Sequence, residues 1–135
     1  MKIISDLHIH SRYSRACSKE LTLPNIAVWC AKKGIGLVGT GDFTYPAWFS
    51  SMEKELVSHD SGFYALRQSS VISHKSSVFF VPTAEISCIY TRGGKGRRVH
   101  IIIIAPDPME GSAAGSAITC ISTSPSIHGI LFFIP

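Results

Sequence analysis

The sequence predicts an α/β domain. Strand-like apolar runs alternate with helical ones through its first half, Asp and His residues gather where the predicted strands end, and 45% hydrophobic content over 135 residues is enough for one domain with a core. Strands that alternate with helices lie parallel, and right-handed crossovers make them a barrel or an open sheet.

Residues 2–9 read as the first strand. "LTLPNIAVWCAKKG" follows as a helix, with Thr22 to cap it, Pro24 in its first turn and Gly34 to close it. "IGLVGTGDF" is a short buried strand that ends in a Gly-rich turn carrying Asp42. "YPAWFSSMEKELVSH" reads as a second helix. "GFYALR" and "SSVFFVPTAEISCIYTR" are strand-like, "GGKG" is a hairpin turn, and "RRVHIIIIAPD" returns as a buried strand. The character changes after Asp107: from Gly111 to Pro135 there is no Asp, Glu, Lys or Arg. The expected division is therefore residues 1–108 as the α/β part and 109–135 as an atypical uncharged tail, a shifted frame or a truncated end.

The net charge of +4 is compatible with a phosphate-bearing partner. Cys17, Cys30, Cys88 and Cys120 have no CxxC spacing, which argues against a zinc ribbon or a redox pair. No charged-then-apolar leader opens the chain, and Ser, Thr, Pro and His interrupt the last apolar run, so neither a signal peptide nor a membrane span is expected. A cytoplasmic setting follows as the expectation. No GxxxxGK[ST] phosphate loop is present, so no use of ATP is expected.

The chemistry is concentrated in "DLHIHSRYS". Asp6, His8 and His10 alternate, and alternate residues of a strand share a face. An aspartate and two imidazoles on one face suit a metal better than a core. Asp42, Glu85 and His100 join them, each at or near a strand end or on the returning hairpin, where α/β barrels build their sites. Carboxylate and imidazole donors suit Zn²⁺, Mn²⁺ or Fe²⁺. Glu85 in "PTAEIS" is placed to bridge two ions, and a buried unpaired carboxylate in so apolar a strand would be costly. Asp42 also fits a turn residue or helix cap. His100 also fits a satisfied core histidine. His59, His74 and His128 read as surface or loop residues, and Trp29, Trp48 and Phe49 as packing. The basic residues Arg12, Arg15 and Lys19 near the metal face, and Lys95, Arg97 and Arg98 on the hairpin, suit DNA phosphates or a solvated surface equally.

"DLHIHSRYS", "GTGDF", "PTAEISCIY" and "RRVHIIIIAPD", in that order, resemble the N-terminal half of a PHP (polymerase and histidinol phosphatase) domain. "SRYSRACSKELTLPNIAVWCAKKGIGLVGTGDFTYPAW" and "EISCIYTRGGKGRRVH" are most similar to the endonuclease Q type, over about Met1 to Asp107. The resemblance implies a partial, distorted (β/α)₇ barrel with about four of its seven strands present. It implies divalent ions (Zn, Mn, Mg or Fe), two in the complete site. His8 and His10 would bind one ion, Glu85 would bridge to the second, and His100 would bind that second ion. Asp42 falls where a third-site ligand often stands, but no matching ligand occurs near Arg15 and Ala16. Catalysis would rest on Glu85, His8 and His10. DNA would be the phosphodiester substrate, cut at deaminated or abasic sites. The runner-up is a small-molecule phosphoesterase of the histidinol-phosphatase type, and the third reading is a non-catalytic fragment. The family's later histidine and Asp-x-His pair have no match in this sequence, so the chain as written is expected to be incomplete and inactive.

Overall fold

The computed structural model describes residues 2–59, 63–67 and 78–105, together with the backbone of 131–134. His74, Asp107, Cys120, His128 and most of the 109–135 tail lie outside the described residues. The architecture is mixed α/β with two sheets. Strand β1 (Ser5–Asp6) is followed by α1 (Leu23–Lys33), β2 (Leu37–Gly39), α2 (Pro46–Glu55), β3 (Leu56–Ser58), β4 (Tyr64–Leu66) and β5 (Phe79–Val81). Two long strands, β6 (Thr83–Arg92) and β7 (Lys95–Ile104), and the short β8 (Leu131–Ile134) complete it. The first sheet has the order β1-β2-β5-β4-β3 and the second β6-β7-β8.

The parallel neighbours expected from strand–helix alternation are β1, β2 and β5, while β4 and β3 add to them antiparallel. Alternation along the strands sorts side chains into two apolar layers. Val38 and Phe80 join the helical residues Leu23, Ile26, Ala27, Cys30, Trp48, Phe49 and Met52 in one cluster. Their neighbours Leu37 and Val81 pack with Ile102 and Ile104 in a second. Burial on both faces is what continuous apolar strands such as "LVG" and "FFV" require.

Helix α1 forms as its sequence predicts. Leu23, Ile26, Ala27 and Cys30 recur at helical spacing and are all buried. The Thr22 side chain accepts from the Asn25 amide, Pro24 occupies the first turn, and Gly34 closes the helix in a left-handed conformation. Cys30 is buried, and burial first, with Asp6 second, pushes its thiol up, so it is an inert packing group. Cys17 and Cys88 are also free thiols but only half-buried.

Three expectations change. The first strand is shorter than residues 2–9, so His8 and His10 sit on the loop beyond it. The second helix stops at Glu55, because Leu56, Val57 and Ser58 pair with Leu66, Ala65 and Tyr64 instead. That pairing buries Leu56, and β-branched Val57 favours it. The long run 76–92 is divided at Pro82, which has no N–H for a ladder, so β5 stays in the first sheet and β6 begins the second. The hairpin stands where the sequence places it, but its turn is shorter than "GGKG": Gly93 and Gly94, both at positive φ, make a two-residue turn, and Lys95 and Gly96 already belong to β7.

Close approach of backbones sets the position of β2. A Cβ on Gly39 would lie 2.5 Å from Thr83 Oγ1 and 2.7 Å from the Leu7 carbonyl. Gly39→Ala is therefore expected to lower stability by about 1–3 kcal/mol in urea unfolding. Gly96→Ala, with open space around the site, is expected to stay within about 0.5 kcal/mol of the parent.

Candidate functional site

Three segments far apart in sequence meet at one end of the strands. Residues 7–14 leave β1, residues 40–43 leave β2, and β6 starts at Thr83. The Thr83 amide donates to Thr40 Oγ1 at 3.2 Å, the Gly41 amide to Thr83 Oγ1 at 2.9 Å and the Phe43 amide to the Thr83 carbonyl at 3.1 Å. Trp48 packs in the core, as its sequence context suggests, and its indole N–H donates to the carbonyls of Thr40 (3.2 Å) and Gly41 (3.0 Å).

These bonds hold Glu85 two residues beyond Thr83. His8 Nε2 lies 3.0 Å and His10 Nε2 3.3 Å from the same oxygen, Glu85 Oε2. The other oxygen, Oε1, contacts His100 Nδ1. One carboxylate thus faces two imidazoles with one oxygen and a third imidazole with the other. His8, His10 and Glu85 present donor atoms within 4.8 Å of one another, a group that could hold a metal ion. Glu85 is 14% exposed, against 39% for His8, 40% for His10 and 44% for His100, so the carboxylate forms the floor and the imidazoles an open rim.

Asp42 has a different setting. Its Oδ2 accepts from the Ser11 amide at 2.8 Å, the Ser11 hydroxyl at 2.7 Å and the Ser14 hydroxyl at 2.5 Å. Its Oδ1 lies 3.5 Å from His10 Nδ1. Burial alone would raise the Asp42 carboxyl, but bonds from Ser14, Ser11 and His10 outweigh it and hold the group below its ordinary range. Asp42 also takes a positive φ of 45°, which Asp tolerates better than most residues. It stands outside the three-residue group and ties the histidine loop to the turn after β2. Ser11 and Ser14 belong to no recognisable motif of their own. Their only signal in the sequence is position, immediately after the second histidine.

The remaining residues are dispersed. Asp6 Oδ1 accepts from the His8 amide at 3.3 Å. Arg12 lies near Glu55, whose carboxyl burial raises and Arg12 lowers, with the upward effect larger. Arg15 is exposed, and Lys19 donates to the Arg12 carbonyl at 3.4 Å. Lys95, Arg97 and Arg98 are exposed on the hairpin. His59 stacks edge-on against Phe79, with ring centroids 4.8 Å apart. Trp29 is 58% exposed rather than packed, and carries Lys32 4.5 Å above its ring. Tyr13 and Tyr45 form an exposed aromatic pair with centroids 4.8 Å apart. Among the described residues no helix is long and apolar enough to cross a membrane.

No family model matches the chain. Over 49 residues, 36% of this chain and 6% of the relative, it is 41% identical to an uncharacterized protein of Methanocaldococcus jannaschii. It is similar to a solved lesion-specific endonuclease of Pyrococcus furiosus at 33% identity and a TM-score of 0.58, over 77% of this chain and 22% of that one. It is likewise similar to an endonuclease Q complexed with a 27-mer duplex that has an abasic lesion at the active site, at 36% identity and a TM-score of 0.55, over 74% and 21% of the two chains. The chain therefore has an endonuclease Q-like α/β fold and spans about a fifth of the length of these endonucleases.

Asp42→Ala is expected to cost about 2–3 kcal/mol, because it leaves the Ser11 and Ser14 donors without their charged acceptor. Asp42→Asn, which keeps an acceptor and tolerates the backbone angle, is expected to cost less. Urea unfolding gives the free energies, and faster amide exchange at Ser11 in the alanine variant would localise the loss to this loop.

Proposed function

We propose that this chain is part of a metal-dependent phosphodiester hydrolase of the PHP class and the endonuclease Q type, with DNA damaged at a base as its substrate. The observation that carries the reading is Glu85, whose two oxygens face His8 and His10 on one side and His100 on the other. This is the arrangement a carboxylate needs to bridge two cations, each also held by imidazole. The donor set fits a divalent ion, and three of its members already converge. The likeness to an endonuclease Q that holds an abasic lesion at its active site supports DNA as the substrate class.

His8 and His10 would hold one ion, His100 the other, and Glu85 both. A bound divalent ion supplies Lewis-acid stabilisation for charge developing on a phosphate. The chain's own groups do the positioning. Asp42 sits against His10 Nδ1 and leaves Nε2 directed at the cluster, so it selects the ring's orientation and tautomer. On this reading Asp42 acts behind a ligand, and a third-ion role for it has no partner at Arg15 or Ala16.

His8→Ala, His10→Ala and Glu85→Ala are each expected to lower the metal bound per chain, measured by elemental analysis after dialysis against Mn²⁺ or Zn²⁺. Equal metal in the parent and all three variants would overturn the site.

Cleavage by the chain alone is expected to be slight. The four ligands fill only part of two coordination shells, and misplacement by about 1 Å can cost roughly 100-fold in rate. The assay is a duplex with one abasic site, uracil or deoxyinosine, incubated with Mg²⁺, Mn²⁺ or Zn²⁺. Cutting at the lesion that Glu85→Ala abolishes would show that these ligands suffice.

A further inference from the structure

The register of the β6–β7 ribbon divides a basic cluster that looks like one group in the sequence. Directly opposed residues in an antiparallel pair point to the same side, and sides alternate along each strand. Glu85 is opposite Ile102 and Ser87 is opposite His100, so Glu85 and His100 share a face as diagonal neighbours. Their side-chain contact agrees with that assignment. The next pair outward on this face is Ile89 with Arg98. Tyr90 with Arg97, and Arg92 with Lys95, lie on the opposite face. Of the four cations near the turn, Arg98 alone shares the face of Glu85 and His100.

We propose that Arg98 is a substrate-binding residue that grips the DNA phosphate next to the one held at the Glu85 cluster, and that Arg92, Lys95 and Arg97 do not share this task. The proposal rests on the metal-dependent reading of that cluster. Arg98 is two residues beyond His100, about 7 Å along the strand, and its long side chain can reach a neighbouring phosphate. Its planar guanidinium matches phosphate oxygens with two parallel bonds, which a lysine cannot offer. Among the described residues no carboxylate pairs with it, so its charge is available. Ile89, directly opposite and 73% exposed, gives the same face an apolar surface beside the cation, suited to a sugar edge. Arg12, by contrast, already lies near the carboxylate of Glu55.

The test measures binding rather than turnover. Fluorescence anisotropy would follow the full chain on a labelled duplex with one abasic site, in Mn²⁺ and in EDTA, with a gel to verify intact DNA. The parent is expected to bind more tightly in Mn²⁺. If Arg98 grips the phosphate adjoining the metal-held one, R98E loses about 10-fold or more of that Mn²⁺-dependent gain, and R98K keeps part of it. The combined R92E, K95E and R97E variant is expected to weaken binding equally in both conditions and leave the gain intact. Far-UV circular dichroism checks the fold, and R98Q is read in the same way should R98E fold poorly. A gain undiminished in both R98E and R98Q would overturn the Arg98 assignment and leave the metal site standing. A parent with no Mn²⁺-dependent gain would overturn the metal site and Arg98 with it.

Discussion

Everything at the site depends on a seam between two buried threonines. Thr40 follows β2 and Thr83 begins β6; the β2–β5 ladder ends at Gly39 and Val81, where the Thr40 amide donates to the Val81 carbonyl at 2.9 Å, and the two threonines carry the link on to the second sheet. The Thr83 amide bonds to the Thr40 hydroxyl, and the Thr83 hydroxyl takes the Gly41 amide. Buried polar groups must be satisfied, and here each threonine satisfies backbone of the other segment. Glu85 lies two residues after this seam on one side, and Asp42 two residues after it on the other. The same few bonds therefore set the height of both carboxylates. Trp48 reinforces the seam from the core, because its N–H holds the carbonyls on either side of the Thr40–Gly41 link.

The α1 helix and the hairpin were legible in the sequence because each is specified locally. Apolar spacing, a Thr cap and a terminal Gly define α1, and a Gly-Gly turn between apolar strands defines the ribbon. The meeting of His8, His10 and Glu85 was legible only in part: a carboxylate in an apolar strand stands out, but the two histidines reach it from the loop beyond β1 and not from a shared strand face. What escaped was decided by tertiary pairing. Leu56–Ser58 carries a helical pattern onward from α2, yet a partner strand across Tyr64–Leu66 outweighs it. The Asp42 anchor escaped because Ser11 and Ser14 have no period or motif; their role exists only once the two loops touch.

Pro82 illustrates how one backbone property can place a site. Read as a sequence, residues 76–92 form one strand, and a continuous strand would keep Glu85 within the first sheet. The missing N–H at Pro82 ends that ladder, while its carbonyl still accepts from the Ala105 amide at 2.9 Å. The chain then enters the second sheet, with β7 beside it. His100 reaches Glu85 because of that change of sheet. The apolar end of the chain is also used there, since the backbone of Leu131–Ile134 pairs with β7 from His100 to Ile103. That pairing covers an edge which a two-stranded ribbon would leave open along those residues.

Asp42 and Glu85 are both partly buried carboxylates within reach of His10, and their surroundings assign them different work. Asp42 receives three donors on a single oxygen, so its charge is already satisfied by protein and its geometry is fixed. A fourth demand, from a cation, would have to compete with those bonds. Glu85 has no hydroxyl or amide donor among the described residues and meets only imidazole nitrogens. Imidazoles are themselves metal ligands, and each can turn a lone pair toward a cation that the carboxylate also binds. The contrast follows from position. Asp42 sits in a loop facing another loop rich in serine, whereas of the hydroxyls that share the β6 face of Glu85, Thr83 is engaged with the Gly41 amide and Ser87 is exposed opposite His100. No hydroxyl or amide bonds to Glu85 among the described residues, so a cation there would meet a carboxylate whose charge the protein has left to imidazoles alone.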